Sequence, residues 1–223
     1  MVVNQTRPII SIDFLPSVTN PPLYPCDMPR VTLRSGLLPL FLLLSIGLIA
    51  GCSRTVAPPK NQPPATILLI RHAEKLDNGE INLSPIGFER ARLLPKIFAP
   101  GARPDLPTPQ FLFATRISPH SDRPVQTLTP LAEALHLPID NSFDNDQYRS
   151  LAATLLSGKY AGKVVLVVWH HGKIPQLAAA LGAKPPSAGW PDDQYDRIWR
   201  IDYVNSKVTL QDLPYALMPG DSK

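Results

Sequence analysis

Cysteine is scarce in this chain of 223 residues: only Cys26 and Cys52 occur. If translation starts at Met28, as argued below, Cys52 stands alone and one mature chain can hold no disulfide framework. Charge is sparse as well. Asp, Glu, Lys and Arg make up 18% of the residues, the formal net charge is +4, and there is no dense Lys/Arg run or aromatic-basic stripe. That argues against nucleic acid as a partner, although a mildly positive domain still attracts anionic ligands. No Gly-rich phosphate loop is present, and the spacing of His, Asp and Cys gives no zinc or paired-metal ligand set. No internal repeat or second domain is visible. Apolar residues, by contrast, make up 44% of the chain, enough for one α/β domain with a sizeable core.

A processing segment precedes that domain. Arg30 and Arg34 form a basic flank, and Gly36 to Leu48 is an apolar run. Ile49-Ala50-Gly51-Cys52 then matches the bacterial lipobox, a signal in which the Cys becomes the lipidated first residue of the mature protein. The rival is an uncleaved membrane helix, but the uncharged run from Ser35 to Ser53 is marginal as a span and contains Pro39. Pro8, Pro16, Pro21, Pro22 and Pro25 crowd the first 27 residues, which show no clean periodicity. Met28 is followed at once by Pro29 and Arg30, as a signal peptide begins. Translation is therefore expected to start at Met28; the alternative is a structureless N-terminal extension. Residues 1–51 are read as extension plus signal peptide, 52–64 as a Pro-rich extended tether, and 65–223 as the domain. The expected location is the bacterial cell envelope, with a lipid anchor at Cys52. Ser53 in place of Asp implies, by the rule of that signal family, the periplasmic face of the outer membrane in a diderm.

Within the domain, the apolar run Thr66 to Ile70 suits a strand covered on both faces. It stops at Arg71-His72. The pair sets a bidentate cation and a nucleophilic imidazole at a strand's C-terminal end, where open α/β sheets bind ligands. Ser84-Pro85 reads as an N-cap and first helical position, with a helix continuing from Ile86 to Phe98. Phe111 to Ala114 is a short buried strand, Thr127 to Leu135 a helix, and Leu151 to Leu156 a short helix. Val164 to Val168 is a second long buried strand, ending in Trp169-His170-His171-Gly172, and Ile174 to Leu181 is a helix. Arg197 to Tyr203 alternates as a half-exposed strand does, turns at Asn205-Ser206, and pairs back through Val208-Thr209-Leu210. Strand-helix alternation implies the α/β class: a three-layer α/β/α fold with a mostly parallel central sheet and an antiparallel edge hairpin.

Four motifs in order carry a resemblance: Arg71-His72-Ala73, Leu83-Ser84-Pro85-Ile86-Gly87-Phe88-Glu89-Arg90-Ala91, Ser118 to Thr127 with Arg123 and Gln126, and the late strand ending in His. Together they resemble the histidine phosphatase superfamily, the phosphoglycerate mutase-like proteins, over roughly residues 65–203. Ala73 stands for the usual Gly and Pro124 for the usual Ala, and the spacing from Ser118 to Arg123 is one residue longer than the simplest pattern. The resemblance implies a phosphoglycerate mutase-like fold and a metal-independent phosphomonoesterase with no cofactor. His72 would attack the phosphoryl group, Arg71 and Arg123 would neutralise its oxygens, and a late His would complete the phosphate pocket. Flanking arginines disfavour imidazolium, so His72 is expected to stay neutral.

Neighbouring strand residues face opposite ways, so His170 and His171 cannot both point the same way if the strand continues. A family pattern Trp-x-His-x-x-Ile-Pro fits Trp169, His171, Ile174 and Pro175 without a gap, which prefers His171; a second pattern aligns His170 less well. The proton donor is open, with Asp144 and Asp146 as the candidates and a solvated turn as their ordinary reading. Glu74 is read as orienting the first turn or pairing Arg71. Tyr148, Trp190 and Tyr195 are candidates to border the substrate, with core as the ordinary reading of such aromatics. The expected substrate is a phosphorylated small molecule or a phosphoprotein. The alternatives are a phosphoglycerate mutase-like phosphotransferase and a non-catalytic module that holds a phosphorylated ligand.

Overall fold

The computed structural model of the protein describes residues 62–222. The start at Met28, the signal peptide, the lipidation site Cys52 and the tether up to residue 61 lie outside the described residues. Six strands form in chain order: β1 (Thr66–Arg71), β2 (Phe111–Thr115), β3 (Ile139–Phe143), β4 (Val164–Trp169), β5 (Arg197–Val204) and β6 (Lys207–Pro214). Five helices accompany them: α1 (Pro85–Leu93), a one-turn α2 (Pro95–Phe98), α3 (Arg123–Leu135), α4 (Tyr148–Leu155) and α5 (Ile174–Ala180). The strands make one sheet in the order β3-β2-β4-β1-β5-β6. β1, β2, β3 and β4 run parallel, while β5 lies antiparallel to β1 and β6 closes the edge as a hairpin. The α/β class, the mostly parallel sheet and the antiparallel edge hairpin are thus as expected.

Alternation along the central strands sorts their side chains into two layers. Ile67, Leu69, Val165 and Val167 pack with Leu151 and Leu155 of α4 and Ile174 and Leu177 of α5. Leu68, Ile70, Leu166 and Val168 pack on the opposite face with Leu94, Ile97, Leu128 and Leu131. Both faces are covered, so β1 reads as an unbroken buried run.

The structure differs from expectation in three elements. The single helix expected over 86–98 breaks at Leu94, because Pro95 has no N–H to continue the ladder. α3 starts at Arg123, four residues earlier than expected, since Pro124 is tolerated in a first turn. β3 was not expected at all. Its Asp140, Asn141 and Ser142 look like loop, but the strand lies at the sheet edge, where alternate polar residues face out.

At the N-terminal side, the Pro63 carbonyl accepts a bond from the Gly162 N–H at 3.2 Å and Pro64 is buried. Among the described residues no helix is long and apolar enough to cross a membrane.

Candidate functional site

The site is built where β1 and β4 end side by side. Their parallel register sets Arg71 opposite Trp169, and the His72 N–H extends the ladder by donating to the Trp169 carbonyl at 3.1 Å. The next pair in that register is His72 and His170. Their rings meet edge to face, with centroids 5.1 Å apart. His72 is 2% exposed. Its Nδ1 lies 2.7 Å from the Ala73 carbonyl oxygen. A carbonyl can only accept, so Nδ1 carries the proton and Nε2 keeps the lone pair.

Burial is the main cause that lowers the His72 pKa well below 6.5; His170, Arg71 and Arg123 add to it, and the Ala73 carbonyl opposes it. His170 is pushed down to about 4, first by burial and then by Arg123, His171 and Arg71. Its Nε2 lies 3.4 Å from the Thr115 hydroxyl at the end of β2. Both imidazoles are therefore neutral at pH 7.

Two arginines frame this pair. Arg123 opens α3, which is tied to the turn after β1: the Ala73 N–H donates to Thr127 Oγ1 at 2.9 Å, and that hydroxyl donates to the Arg123 carbonyl at 2.8 Å. The Arg123 guanidinium donates to the Glu80 carbonyl at 2.7 Å and to the His120 carbonyl at 3.4 Å. Arg71 is 1% exposed. Its Nη1 donates to the carbonyls of Pro191, Asp192 and Gln194, its Nη2 donates to the Tyr195 hydroxyl, and its Cζ stacks 3.8 Å from the centre of the Tyr195 ring. The Nε atoms of both arginines are buried with no partner. Buried donors are rarely left unpaired, so two bare N–H groups on the arginines that act on the neutral His72 mark a place for an acceptor.

Of the two late histidines, the structure sets His170, and not the preferred His171, across from His72. His170 holds the ring across from His72, and His171 begins a 3₁₀ turn, with its Nε2 2.9 Å from Asp192 Oδ1. The physical reason is strand facing. Leu166 and Val168 share a face with Leu68 and Ile70, and continuing both strands puts His170 beside His72.

No family model matches the chain, and no curated protein matches it. Solved structures do. A candidate phosphohistidine phosphatase SixA from Agrobacterium tumefaciens is 19% identical, with 67% of this chain and 98% of that chain covered at a TM-score of 0.42. The corresponding SixA protein from Nakamurella multipartitia is 18% identical, with 70% and 100% covered and a TM-score of 0.43. A phosphoserine phosphatase variant from Entamoeba histolytica, bound to phosphoserine, is 11% identical, with 69% and 98% covered and a TM-score of 0.43.

The acidic sequence candidates have cation partners of their own. Asp144 pairs with Arg116 at 3.3 Å and Asp146 with Lys173 at 2.7 Å, both acids being exposed. Glu74 pairs with Arg90 at 2.7 Å, not with Arg71, and Arg90 in turn grips Asp221 at 2.9 Å. Tyr148 and Trp190 are core, as expected, but Tyr195 stacks on Arg71. Arg71, Lys75, His171, Asp192 and Tyr195 line an open cleft of about 540 Å³. Thr115 and Asp192 escaped the sequence reading. Thr115 ends an apolar run just as Arg71 does, so its signal was there; Asp192 lies in an irregular Pro-Asp stretch that carries none. Among the described residues no group of three or more His, Cys, Asp or Glu could hold a metal ion.

Proposed function

We propose that this domain is a phosphomonoesterase of the histidine phosphatase superfamily, working through a phosphohistidine at His72. The observation that carries the reading is the neutral His72, with its Nε2 lone pair fixed by the Ala73 carbonyl, set beside His170, the buried Arg71 and the half-buried Arg123. In the first half-reaction Nε2 attacks phosphorus, the P–O ester bond breaks, and the alcohol leaves with a proton. In the second, water attacks the phosphohistidine, releasing inorganic phosphate and free His72. Phosphoryl transfer of this kind needs in-line positioning and charge stabilisation above all. The guanidinium groups of Arg71 and Arg123 and the imidazole N–H of His170 supply that charge, so the route needs no metal. Phosphorylated small molecules and phosphoproteins are the proposed substrate classes.

The test is turnover of p-nitrophenyl phosphate with EDTA present, together with rapid quench of radiolabelled substrate. Wild type should show acid-labile label on His72. His72→Ala should fall by at least about three decades, since the whole nucleophilic route is removed. Activity within tenfold of wild type in that variant would overturn the mechanism. A second reading, a phosphate-binding module without turnover, draws on the pairing of both Asp144 and Asp146 with surface cations. Phosphate binding with no turnover in the same assay would select it. The proposal further places the domain on a lipid anchor at Cys52, which intact-mass analysis of membrane-extracted protein would test by finding an acylated N-terminal Cys.

A further inference from the structure

Unlike Tyr148 and Trp190, Tyr195 packs in neither apolar layer. Its ring lies instead against the two residues where β1 ends. The His72 ring centroid is 6.2 Å away at an interplanar angle of 55°, within the range of aromatic contacts. The Arg71 Cζ sits 3.8 Å from the centre of the Tyr195 ring. The Tyr195 hydroxyl accepts from Arg71 Nη2 at 3.1 Å, and among the described residues it donates to none. A ligand can reach it, because Tyr195 is half-buried and lines the open cleft with Arg71.

Arg123 feels the same oxygen. Burial lowers the pKa of Arg71 and of Arg123, and Tyr195 opposes the fall in each. The hydroxyl end thus stands within electrostatic reach of both guanidinium groups, with its ring beside His72. The chain fixes this placement on both sides of the residue. Trp190 Nε1 donates to the Gln194 carbonyl at 2.8 Å, and the Tyr215 N–H donates to the Asp196 carbonyl at 2.7 Å. A donor held before the ligand arrives needs no reorganisation when charge develops. A hydroxyl that accepts from a guanidinium and has no acceptor of its own is also polarised to donate, since hydrogen bonds in a chain strengthen one another.

We propose that Tyr195 belongs to the phosphate pocket, its O–H donating to an oxygen of the phosphoryl group that His72 accepts. Tyr195 then adds a neutral donor to the charged set of the phosphatase reading above, on which this assignment rests. Arg71 uses Nη1 on three carbonyls and a hydrogen of Nη2 on the hydroxyl. Its influence reaches the phosphoryl oxygens through the bare Nε and through Tyr195. No bond to Tyr195 forms or breaks, and the proton stays on the phenol oxygen throughout.

Calorimetric binding of inorganic phosphate and kcat on p-nitrophenyl phosphate test this together. Tyr195→Phe keeps the ring over Arg71 and removes only the hydroxyl. It should weaken phosphate binding by about 10- to 100-fold, the range for one hydrogen bond to a charged group. It should lower kcat by about 100-fold, the low end for losing a donor to transition-state charge. A 3-fluorotyrosine at position 195 separates direct donation from support of Arg71, since fluorine makes the phenol a stronger donor and a weaker acceptor. At a pH where that phenol stays protonated, phosphate should bind more tightly than to wild type. Binding no tighter than wild type there, or a Tyr195→Phe protein that matches wild type in both measurements, would overturn the assignment and leave His72 chemistry standing. Phosphate that binds wild type and is weakened in Tyr195→Phe, with no turnover and no label on His72, would overturn the phosphatase reading and keep Tyr195 as a phosphate ligand.

Discussion

His170 and His171 differ by one position and by everything that matters to their chemistry. His170 continues the face of β4 that carries Leu166 and Val168, so its ring meets His72 at 5.1 Å. His171 has turned out of the strand into a 3₁₀ turn toward Asp192. His170→Ala should therefore cost two to three decades in kcat/KM on p-nitrophenyl phosphate, the usual cost, about 3–4 kcal/mol, of removing one donor that meets transition-state charge. His171→Ala should cost less than tenfold on that substrate, and the reverse order in the measured kcat/KM values would refute the placement. The sequence showed that the two could not both point the same way if the strand continued, because facing alternates along a strand. It could not show which, because the choice depends on the pairing of Thr66 with Val164, and register between distant strands leaves no local trace. Arg71 and His72 were legible for the opposite reason: an all-apolar run that stops at Arg-His announces a strand end by itself. Asp192 was illegible because nothing periodic surrounds it.

Helix α1 shows why its short motif has the residues it has. Ser84 caps the helix by accepting the Gly87 N–H at 3.1 Å, and the Ser84 N–H donates to the Glu74 carbonyl at 2.9 Å. Gly87 then passes so close to the turn after β1 that a Cβ there would lie 2.3 Å from the Glu74 carbonyl oxygen. One turn on, Arg90 binds Glu74 and Asp221, whose hydrogen bonds hold its pKa above the ordinary value despite burial. The helix thus clamps the backbone two residues beyond His72. Gly87→Ala sets two effects against each other. Helix propensity favours Ala by about 1 kcal/mol, but backbone atoms cannot yield as a flexible side chain can, and overpacking costs about 1–3 kcal/mol. The clash should win. Equilibrium denaturation is expected to show a net loss of about 1–2 kcal/mol, with a parallel fall in the proposed turnover of p-nitrophenyl phosphate, and an unchanged midpoint would show that the turn is not held as described. The cap and the helix start were readable from Ser84-Pro85. The reason for Gly87 was not, since it lies in a contact with a turn that the helix pattern does not contain. β3 was missed because edge strands need only half an apolar pattern.

For the whole molecule, the sheet order decides where charge is buried. The connection out of β1 leads to the α1–α3 layer and that out of β4 leads to α5 on the other face, so a crevice opens at their shared C-terminal end. Folding carries His72 and His170 into that crevice in their neutral forms, and this ties global stability to pH. The sign follows from the shifts. Both pKa values are lowered on folding, His170 from 6.5 to about 4 and His72 well below 6.5. At pH 7 neither state binds these protons and nothing is lost. As the pH falls through 6.5 the unfolded chain takes protons that the folded one refuses, so stability declines until the folded value is passed. For His170 alone this amounts to about 2 kcal/mol at pH 5 and roughly 3 kcal/mol below pH 4. Asp105 and Asp221, whose pKa values are held below 3.8 by their arginine partners in spite of burial, lose their contribution only at lower pH. The window between pH 6.5 and 4.5 therefore belongs to the histidines. Urea denaturation across that window should show a falling midpoint for wild type and a distinctly shallower fall for His170→Asn, in which one of the histidines whose pKa folding lowers is gone. A wild-type midpoint that stays level from pH 7 to 4.5 would mean that these imidazoles are not buried in neutral form, and the nucleophile's protonation state would have to be argued afresh.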